Sequence, residues 1–211
     1  MELTPDGFVV EEGLDQRYEI LKELGDCHTA LANYDRARQC YEEAALLAHD
    51  KPGPHVGRGV IALQTGCLDE AERAFGQALE LDDRCAEACA GLAMVFQQRR
   101  DFPRAFDSYM RALDRDANNL IALLGLFQTS IQMGTFAKVI YYLEVYLDRH
   151  PGDVSVLFCL ATLYARDHRL DKAHETLQGL LALDPGNAEA AALLQEVERK
   201  RQQMAAENAS R

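Results

Sequence analysis

The sequence predicts an all-α protein that is assembled from repeated pairs of antiparallel helices. Three observations support this prediction. Small and apolar residues recur along the chain with a period of 34 residues. Within each period, apolar residues are spaced three or four apart, as on one face of a helix. The chain has 211 residues, of which 48% are apolar, so it can bury a continuous core.

The period is clearest in the second half of each repeat. Ala37, Ala71 and Ala105 lie 34 residues apart, Ala173 follows two periods later, and Val139 occupies the register between them. A large apolar residue comes four positions after each of these, in the order Tyr41, Phe75, Tyr109, Leu143 and Leu177. The alignment defines five units, which are residues 18–51, 52–85, 86–119, 120–153 and 154–187.

Small residues also recur in the first half of the units, at Gly25, Gly59 and Ala93. Together these columns resemble the tetratricopeptide repeat, a 34-residue unit of a helix, a tight turn and a second antiparallel helix. The resemblance covers about 170 of the 211 residues. It implies a right-handed α-solenoid of five helix-turn-helix repeats, in which each unit buries its apolar face by stacking on the next.

The segments that flank the repeats have different compositions. Residues 1–17 are predicted to form an N-terminal arm and lead-in. Pro5, Gly7 and Gly13 surround the apolar residues 8–10, which favours an extended arm that could occupy a groove, or plain disorder. Residues 188–206 predict a capping helix, with Leu193, Leu194 and Val197 facing inward and charged residues facing water. Residues 207–211 are predicted to be a disordered tail.

The fourth unit departs from the small-residue pattern. Phe127, Val139 and Tyr146 stand where the other units favour Gly or Ala. Three enlarged residues cannot all fit at a close helix crossing. Either the two helices of this unit lie further apart, or the large side chains turn toward a neighbour. Tyr141, Tyr142 and Phe136 lie nearby, so an aromatic surface for a partner is an alternative to compensated packing.

Composition and motifs argue against several function classes. The formal net charge is −12, which disfavours nucleic acid and anionic membrane surfaces as partners. No segment approaches the roughly 20 apolar residues of a membrane helix, and residues 1–10 do not resemble a signal peptide, so we expect a cytoplasmic protein. The six cysteines form no CxxC pair, and we find no catalytic constellation. We therefore expect no enzyme activity, no cofactor and no metal site.

The resemblance implies that function lies in a concave groove that is lined by the first helix of each unit. The register places an acidic entrance and an apolar floor in this groove. Exposed apolar residues in a row indicate an interaction surface. The candidate partner-binding residues are Lys22, Asp26, Val56, Val60, Leu63, Met94, Gln97, Leu124, Gln128, Ile131, Phe158 and Thr162.

The sequence thus predicts a non-enzymatic scaffold or adaptor that binds a partner peptide or helix in the groove. The partner would have apolar anchors and basic flanks. Some relatives grip a C-terminal carboxylate with Lys, Asn and Arg, but only Lys22 matches here, and Asp26 and Val60 replace the two expected Asn residues. An assembly or export chaperone that shields an apolar client segment is the alternative. Self-association is left open.

Overall fold

The computed structural model describes the backbone of residues 6–209 and the side chains of residues 13–207. Over those residues every regular element is an α-helix, which confirms the all-α prediction. The described helices are α1 (Asp6–Ala30), α2 (Tyr34–Leu47), α3 (Gly53–Gln64), α4 (Leu68–Leu81), α5 (Ala86–Gln98), α6 (Phe102–Arg115), α7 (Leu120–Met133), α8 (Ala137–Arg149), α9 (Val154–Arg166), α10 (Leu170–Leu183) and α11 (Ala188–Ala209). None of these helices is both long and apolar enough to cross a membrane.

Tight turns separate the helices of each pair, and one left-handed residue marks each turn. Positive φ angles occur at Ala32, Gly66, Arg100, Gly134 and His168, which follow one another at the repeat period. A single left-handed residue ends a helix and reverses the chain within a few residues. Side-chain caps start several helices, since Asp101, Asn119 and Asp153 each accept a backbone N–H from the residue three positions later.

Consecutive helices pair in antiparallel fashion, and the chain divides into two compact units, residues 1–116 and 117–211. In the first unit, α1 packs on α2, α3 on α4, and α5 on α6. The first helices α1, α3 and α5 also contact one another in order, so they share one face of this unit. In the second unit, α9 packs on α10, and α11 packs on α10.

Aromatic rings fill the space between successive pairs in the first unit. The ring of Tyr41 on α2 is fully buried between Gly25 on α1 and Gly57 on α3. One repeat later, the ring of Phe75 on α4 lies in the same way between Gly59 on α3 and Gly91. A Cβ atom at any of these four glycines would overlap the ring beside it. The glycine inside α3 at position 57 is therefore a packing requirement.

The first helix contradicts the expected extended arm. Helix α1 begins at Asp6, so residues 6–13 are helical and the extended prediction is wrong for them. Gly7 and Gly13 each cost about 1 kcal/mol relative to Ala but do not break a helix of 25 residues. The groove-filling role proposed for Phe8, Val9 and Val10 concerns side chains that lie outside the described residues.

The fourth helix pair is more widely spaced than the others. Helices α7 and α8 approach each other at few places, whereas α9 and α10 lie together along most of their length. Val139 and Tyr146 are buried, and Phe127 is half-buried. The wider spacing corresponds to the first of the two expected arrangements. Tyr146 also shows a feature of the second, since its hydroxyl donates to the carboxylate of Asp153, at the start of α9, at 3.1 Å.

Helix α11 covers the last pair. Ala190 and Val197 are buried on its inner side, while charged residues such as Glu196 and Arg199 are exposed. The helix continues to Ala209, so the expected disorder of residues 207–209 is wrong. The charged outer side remains in water without breaking the helix, since Lys200 pairs with Glu196 one turn away at 2.6 Å.

Candidate functional site

The first unit contains an open pocket on the face shared by α1, α3 and α5. Its volume is about 610 Å³. We call it the first-helix pocket, and its lining includes Tyr18, Glu19, Lys22, Asp26, Thr29, Tyr41, Lys51, Val56, Val60, Gln64, Cys85 and Glu87. Four of the sequence-predicted site residues therefore come together here, which are Lys22, Asp26, Val56 and Val60.

The buried Tyr41 organises the base of this pocket. Its hydroxyl donates a hydrogen bond to Oδ1 of Asp26 at 2.7 Å and lies 3.2 Å from the hydroxyl oxygen of Thr29. The Thr29 hydroxyl also lies 2.9 Å from the carbonyl oxygen of Gly25, to which it donates. Burial raises the pKa of Tyr41 above its usual value, so the phenol stays protonated at neutral pH and holds the Asp26 carboxylate in place.

Paired charges form the rim of the pocket. The ammonium of Lys22 lies 3.1 Å from the other carboxylate oxygen of Asp26. The ammonium of Lys51 lies 2.9 Å from Asp15 and 3.9 Å from Glu19. Because Glu87 adds a further carboxylate, the acidic groups at this rim outnumber the basic ones.

Lys51 also lies over an aromatic ring at the same rim. Its ammonium is 4.4 Å from the centre of the Tyr18 ring, within the range of a cation–π interaction. Burial, followed by the nearby charge of Glu19, raises the pKa of Tyr18 to about 12. The Tyr18 hydroxyl is therefore a neutral polar group, and the charges at the rim are those of the carboxylates and of the two lysines.

The wall of the pocket is apolar and belongs to α3. Val56 and Val60 are half-buried, and their inner sides pack on a core cluster that contains Ala71, Phe75 and Val95. Each valine therefore presents part of its side chain to the pocket. A ligand that covered them would bury apolar surface at roughly 25 cal/mol per Å².

Leu63 was expected in the groove, and that prediction is wrong. Its side chain is 7% exposed and belongs to the core cluster around Phe75. Three residues advance a helix by about 300°, so Leu63 and Val60 point about 60° apart. That rotation turns Leu63 toward the second helix and leaves Val60 at the pocket.

Two further predicted residues of this unit lie outside the pocket. Met94 is half-buried against the same core cluster as Val60. Gln97 accepts a hydrogen bond from the buried Tyr109 hydroxyl at 2.6 Å, so its amide is committed to the α5–α6 contact. Neither residue is among those that line the first-helix pocket.

The remaining predicted residues belong to the second unit. Leu124 and Ile131 on α7 and Phe158 on α9 are half-buried, and Gln128 is exposed. The Thr162 hydroxyl donates to the carbonyl oxygen of Phe158 at 2.8 Å. These side chains remain candidates within their own unit.

Sequence reasoning did not single out Tyr18, Tyr41 or Lys51 as functional. Tyr41 stands in the aromatic column of the repeat, which predicted core packing but gave no reason to assign its hydroxyl a role. Lys51 closes a unit in the sequence, and only the return of the chain brings it to within 2.9 Å of Asp15. Across the described residues, no group of three or more His, Cys, Asp or Glu side chains is placed to hold a metal ion.

Family models match most of the chain. Three models described as tetratricopeptide repeat match residues 20–54, 56–119 and 130–197. Among solved structures, PilF of Pseudomonas aeruginosa superposes with a TM-score of 0.72 over 92% of this chain and 90% of that chain, at 18% identity. YrrB, described as a tetratricopeptide repeat protein with an unusual peptide-binding site, superposes with a TM-score of 0.62 over 82% of this chain and 89% of that chain, at 17% identity.

Curated relatives are much longer than this chain. Anaphase-promoting complex subunit 3 of Schizosaccharomyces pombe is 24% identical over 152 residues, which are 72% of this chain. The match spans 23% of that protein, so it concerns the repeats that the two have in common. The repeat period, the paired helices and the three model matches agree, and the chain belongs to the tetratricopeptide repeat family.

Proposed function

We propose that this protein is a non-enzymatic scaffold or adaptor that holds a segment of a partner protein against its first helices. Members of this family mediate contacts between proteins. The observation that supports the finer proposal is the first-helix pocket, in which half-exposed Val56 and Val60 lie beside a rim where carboxylates predominate. Such a pocket suits an extended or helical segment with an apolar anchor and a neighbouring Lys or Arg.

In this proposal the pocket residues have separate roles. Val56 and Val60 would receive the apolar anchor. Tyr41 and Lys22 hold the side chain of Asp26 in place. Its carboxylate would therefore accept a hydrogen bond from a ligand with little further loss of side-chain entropy. Glu87 is exposed and would attract a basic flank.

The peptide preference of the full chain tests this proposal. Peptides selected from a random 12-residue library should combine an apolar residue with Lys or Arg. Val60→Lys should weaken their binding by about tenfold or more, because it places an ammonium at the apolar wall. Glu87→Lys alters only an exposed side chain and should weaken basic peptides by a factor of about three to ten.

Leu46→Lys is the matched control, since Leu46 is 84% exposed on α2 and does not line the pocket. It should leave peptide affinity unchanged, and circular dichroism should show that all three variants keep their helices. Selected peptides without basic residues, or equal affinity for wild type, Val60→Lys and Glu87→Lys, would contradict the proposal.

An assembly or export chaperone is a second candidate, and the same apolar wall supports it. A chaperone shields an apolar client segment and then releases it, whereas an adaptor keeps its partner bound. Dissociation of a selected peptide on addition of a downstream acceptor protein would favour the chaperone. A complex that persists through the same addition would favour the adaptor.

A further inference from the structure

The two carboxylate oxygens of Asp26 have different surroundings in the first-helix pocket. Oδ1 accepts a hydrogen bond from the hydroxyl of the buried Tyr41 at 2.7 Å. Oδ2 lies 3.1 Å from the ammonium of Lys22. The side chain of Asp26 is 51% exposed, and that of Lys22 is 35% exposed. One oxygen is therefore fixed from the base of the pocket, and the other is paired with a cation that water can reach.

The hydroxyl groups at the base of the pocket have no proton to spare. Each hydroxyl carries a single proton. The proton of Thr29 is donated to the carbonyl oxygen of Gly25 at 2.9 Å, and that of Tyr41 is donated to Asp26. The two hydroxyl oxygens lie 3.2 Å apart, so in this arrangement there is no proton between them. The base therefore presents oxygen acceptors, and a ligand group that reaches it has to be a donor.

The charges around the pocket also favour a cation. Its lining contains three carboxylates and two ammonium groups, which are those of Glu19, Asp26 and Glu87 and of Lys22 and Lys51. Lys51 also pairs with a carboxylate outside the lining, that of Asp15, at 2.9 Å. Among the lining residues and their ion-pair partners, carboxylates are therefore in excess. A cationic ligand group is complementary to this local charge.

The pair between Lys22 and Asp26 is of a kind that exchanges easily. The two residues lie four apart on one helix, and exposed ion pairs contribute little to stability. Their order is also the less favourable one, since a pair is stronger when the acidic residue precedes the basic one along the helix. Lys22 therefore occupies Oδ2 of Asp26 without being held tightly there.

Helix α3 supplies an apolar surface beside this carboxylate. Val56 and Val60 follow Lys22 and Asp26 by one repeat, so they stand at the same levels of the neighbouring first helix. All four residues line the pocket. Arg and Lys side chains bury their methylene stems along apolar surface and keep their charged ends at polar groups. The space between α1 and α3 thus offers both surfaces that such a side chain needs.

We propose that Asp26 is the subsite for a cationic side chain of the partner, and that Lys22 occupies this subsite in the free protein. An arginine suits it well, because its stem can lie along Val60 while its five N–H groups donate to Asp26 and to the Thr29 hydroxyl oxygen. Lys22 is then an internal competitor of the ligand. The inference rests on the proposed function, since both use the first-helix pocket, and it adds a cation subsite within the pocket to the basic flank expected at Glu87.

A small defined ligand tests the subsite on the full chain. The probe is N-acetylarginine methylamide, and its control is the citrulline counterpart, which keeps the shape of the side chain but carries no charge. Binding is followed by the chemical shifts of backbone amides in α1 and α3 during titration with each compound. The arginine probe should bind at least about fivefold more tightly than the citrulline probe.

Two substitutions in α1 have opposite expected effects. Asp26→Asn keeps an oxygen that accepts from Tyr41 but removes the charge, and it should weaken binding of the arginine probe by about fivefold or more. Lys22→Met removes the competing ammonium and should strengthen binding by about threefold or more. If Lys22 itself bound the ligand, its removal would have the opposite effect.

Each substitution has a control that makes the same change in charge. Glu23→Gln alters an exposed residue of α1 that does not line the pocket. Lys200→Met breaks the pair with Glu196 on α11, which has the same spacing of four residues. Neither control should change the affinity for the arginine probe by more than about twofold. Circular dichroism should show that all four variants keep their helices.

Several results would overturn the inference. They are equal affinity for the two probes, unchanged affinity in Asp26→Asn, unchanged or weaker affinity in Lys22→Met, and an arginine probe that does not bind even to Lys22→Met. Such a failure is distinguishable from failure of the proposed function. Library-selected peptides that respond to Val60→Lys and Glu87→Lys but not to Asp26→Asn would leave the adaptor proposal in place and remove only the cation subsite.

Discussion

Single residues decide how closely successive helix pairs of the first unit can approach. The rings of Tyr41 and Phe75 each fill a space that two glycines leave open, one on the helix before and one on the helix after. Glycine inside a helix ordinarily costs about 1 kcal/mol relative to alanine. Glycine is nevertheless required at those positions, because a Cβ there would displace a fully buried ring.

Two glycine substitutions with opposite expected signs test this interpretation. Gly57→Ala should lower the free energy of unfolding by about 1–3 kcal/mol, because its Cβ would overlap the Tyr41 ring and overpack the core. Gly76→Ala, on the open side of α4 with no atom within 4 Å of the new Cβ, should raise it by about 0.5–1 kcal/mol. Urea denaturation followed by circular dichroism measures both. A stabilising Gly57→Ala would show that the ring can move aside.

Among the elements, α11 completes the packing of the last helix pair. It packs on α10 through Ala190 and Val197, which have almost no accessible surface. Ion pairs also join the two helices at the edge of this contact, among them Arg201 with Asp171 of α10 at 2.8 Å. Exposed pairs of this kind contribute little, so burial of the inner side should provide most of the helix's stabilising effect.

Substitution at a buried and at an exposed position of α11 tests the importance of this burial. Val197→Asp should destabilise residues 117–211 by about 3 kcal/mol or more, because it buries an unpaired charge. Met204→Asp, at a residue that is 49% exposed, should change stability by less than about 0.5 kcal/mol. Hydrogen exchange in α9 and α10 of the full chain reports the effect locally. Equal and small effects would mean that α11 does not stabilise this unit.

At the scale of the whole molecule, net charge and buried thiols both contribute to the way in which stability depends on pH. The chain is acidic, with a net charge of −12, and the loss of protons at alkaline pH increases its repulsion. Burial raises the pKa of Cys85 and of Cys159 to about 11, from an ordinary value near 9.0. Between about pH 9 and pH 11, these two thiols therefore stay protonated in the folded state, whereas the same thiols in the unfolded chain have lost their protons.

Stability should consequently fall between about pH 9 and pH 11. A group whose pKa is raised on folding contributes stability below its unfolded pKa, and this contribution is lost as the pH rises through the folded value. Thermal unfolding at pH 8, 9, 10 and 11 measures the effect. The Cys85→Ala, Cys159→Ala double variant should lose less stability over that interval than wild type. An identical pH profile for both proteins would exclude a role for the two thiols.

The sequence alone determined the fold class and the family. A period of 34 residues in small and apolar positions is local information, because each helix pair is made from neighbouring residues and repeats the same packing. For the same reason Phe127, Val139 and Tyr146 could mark the fourth pair as different, although the sequence left open whether its helices would move apart or its large side chains would turn toward a neighbour. The first-helix pocket was partly predictable, since register placed Lys22, Asp26, Val56 and Val60 on first helices.

Only the tertiary structure decided which side chains reach the first-helix pocket and which are buried in the core. Leu63 and Val60 are close in sequence and both apolar, and a rotation of about 60° separates a core residue from a pocket residue. The Tyr41 hydroxyl reaches Asp26 only because two helices cross at that point.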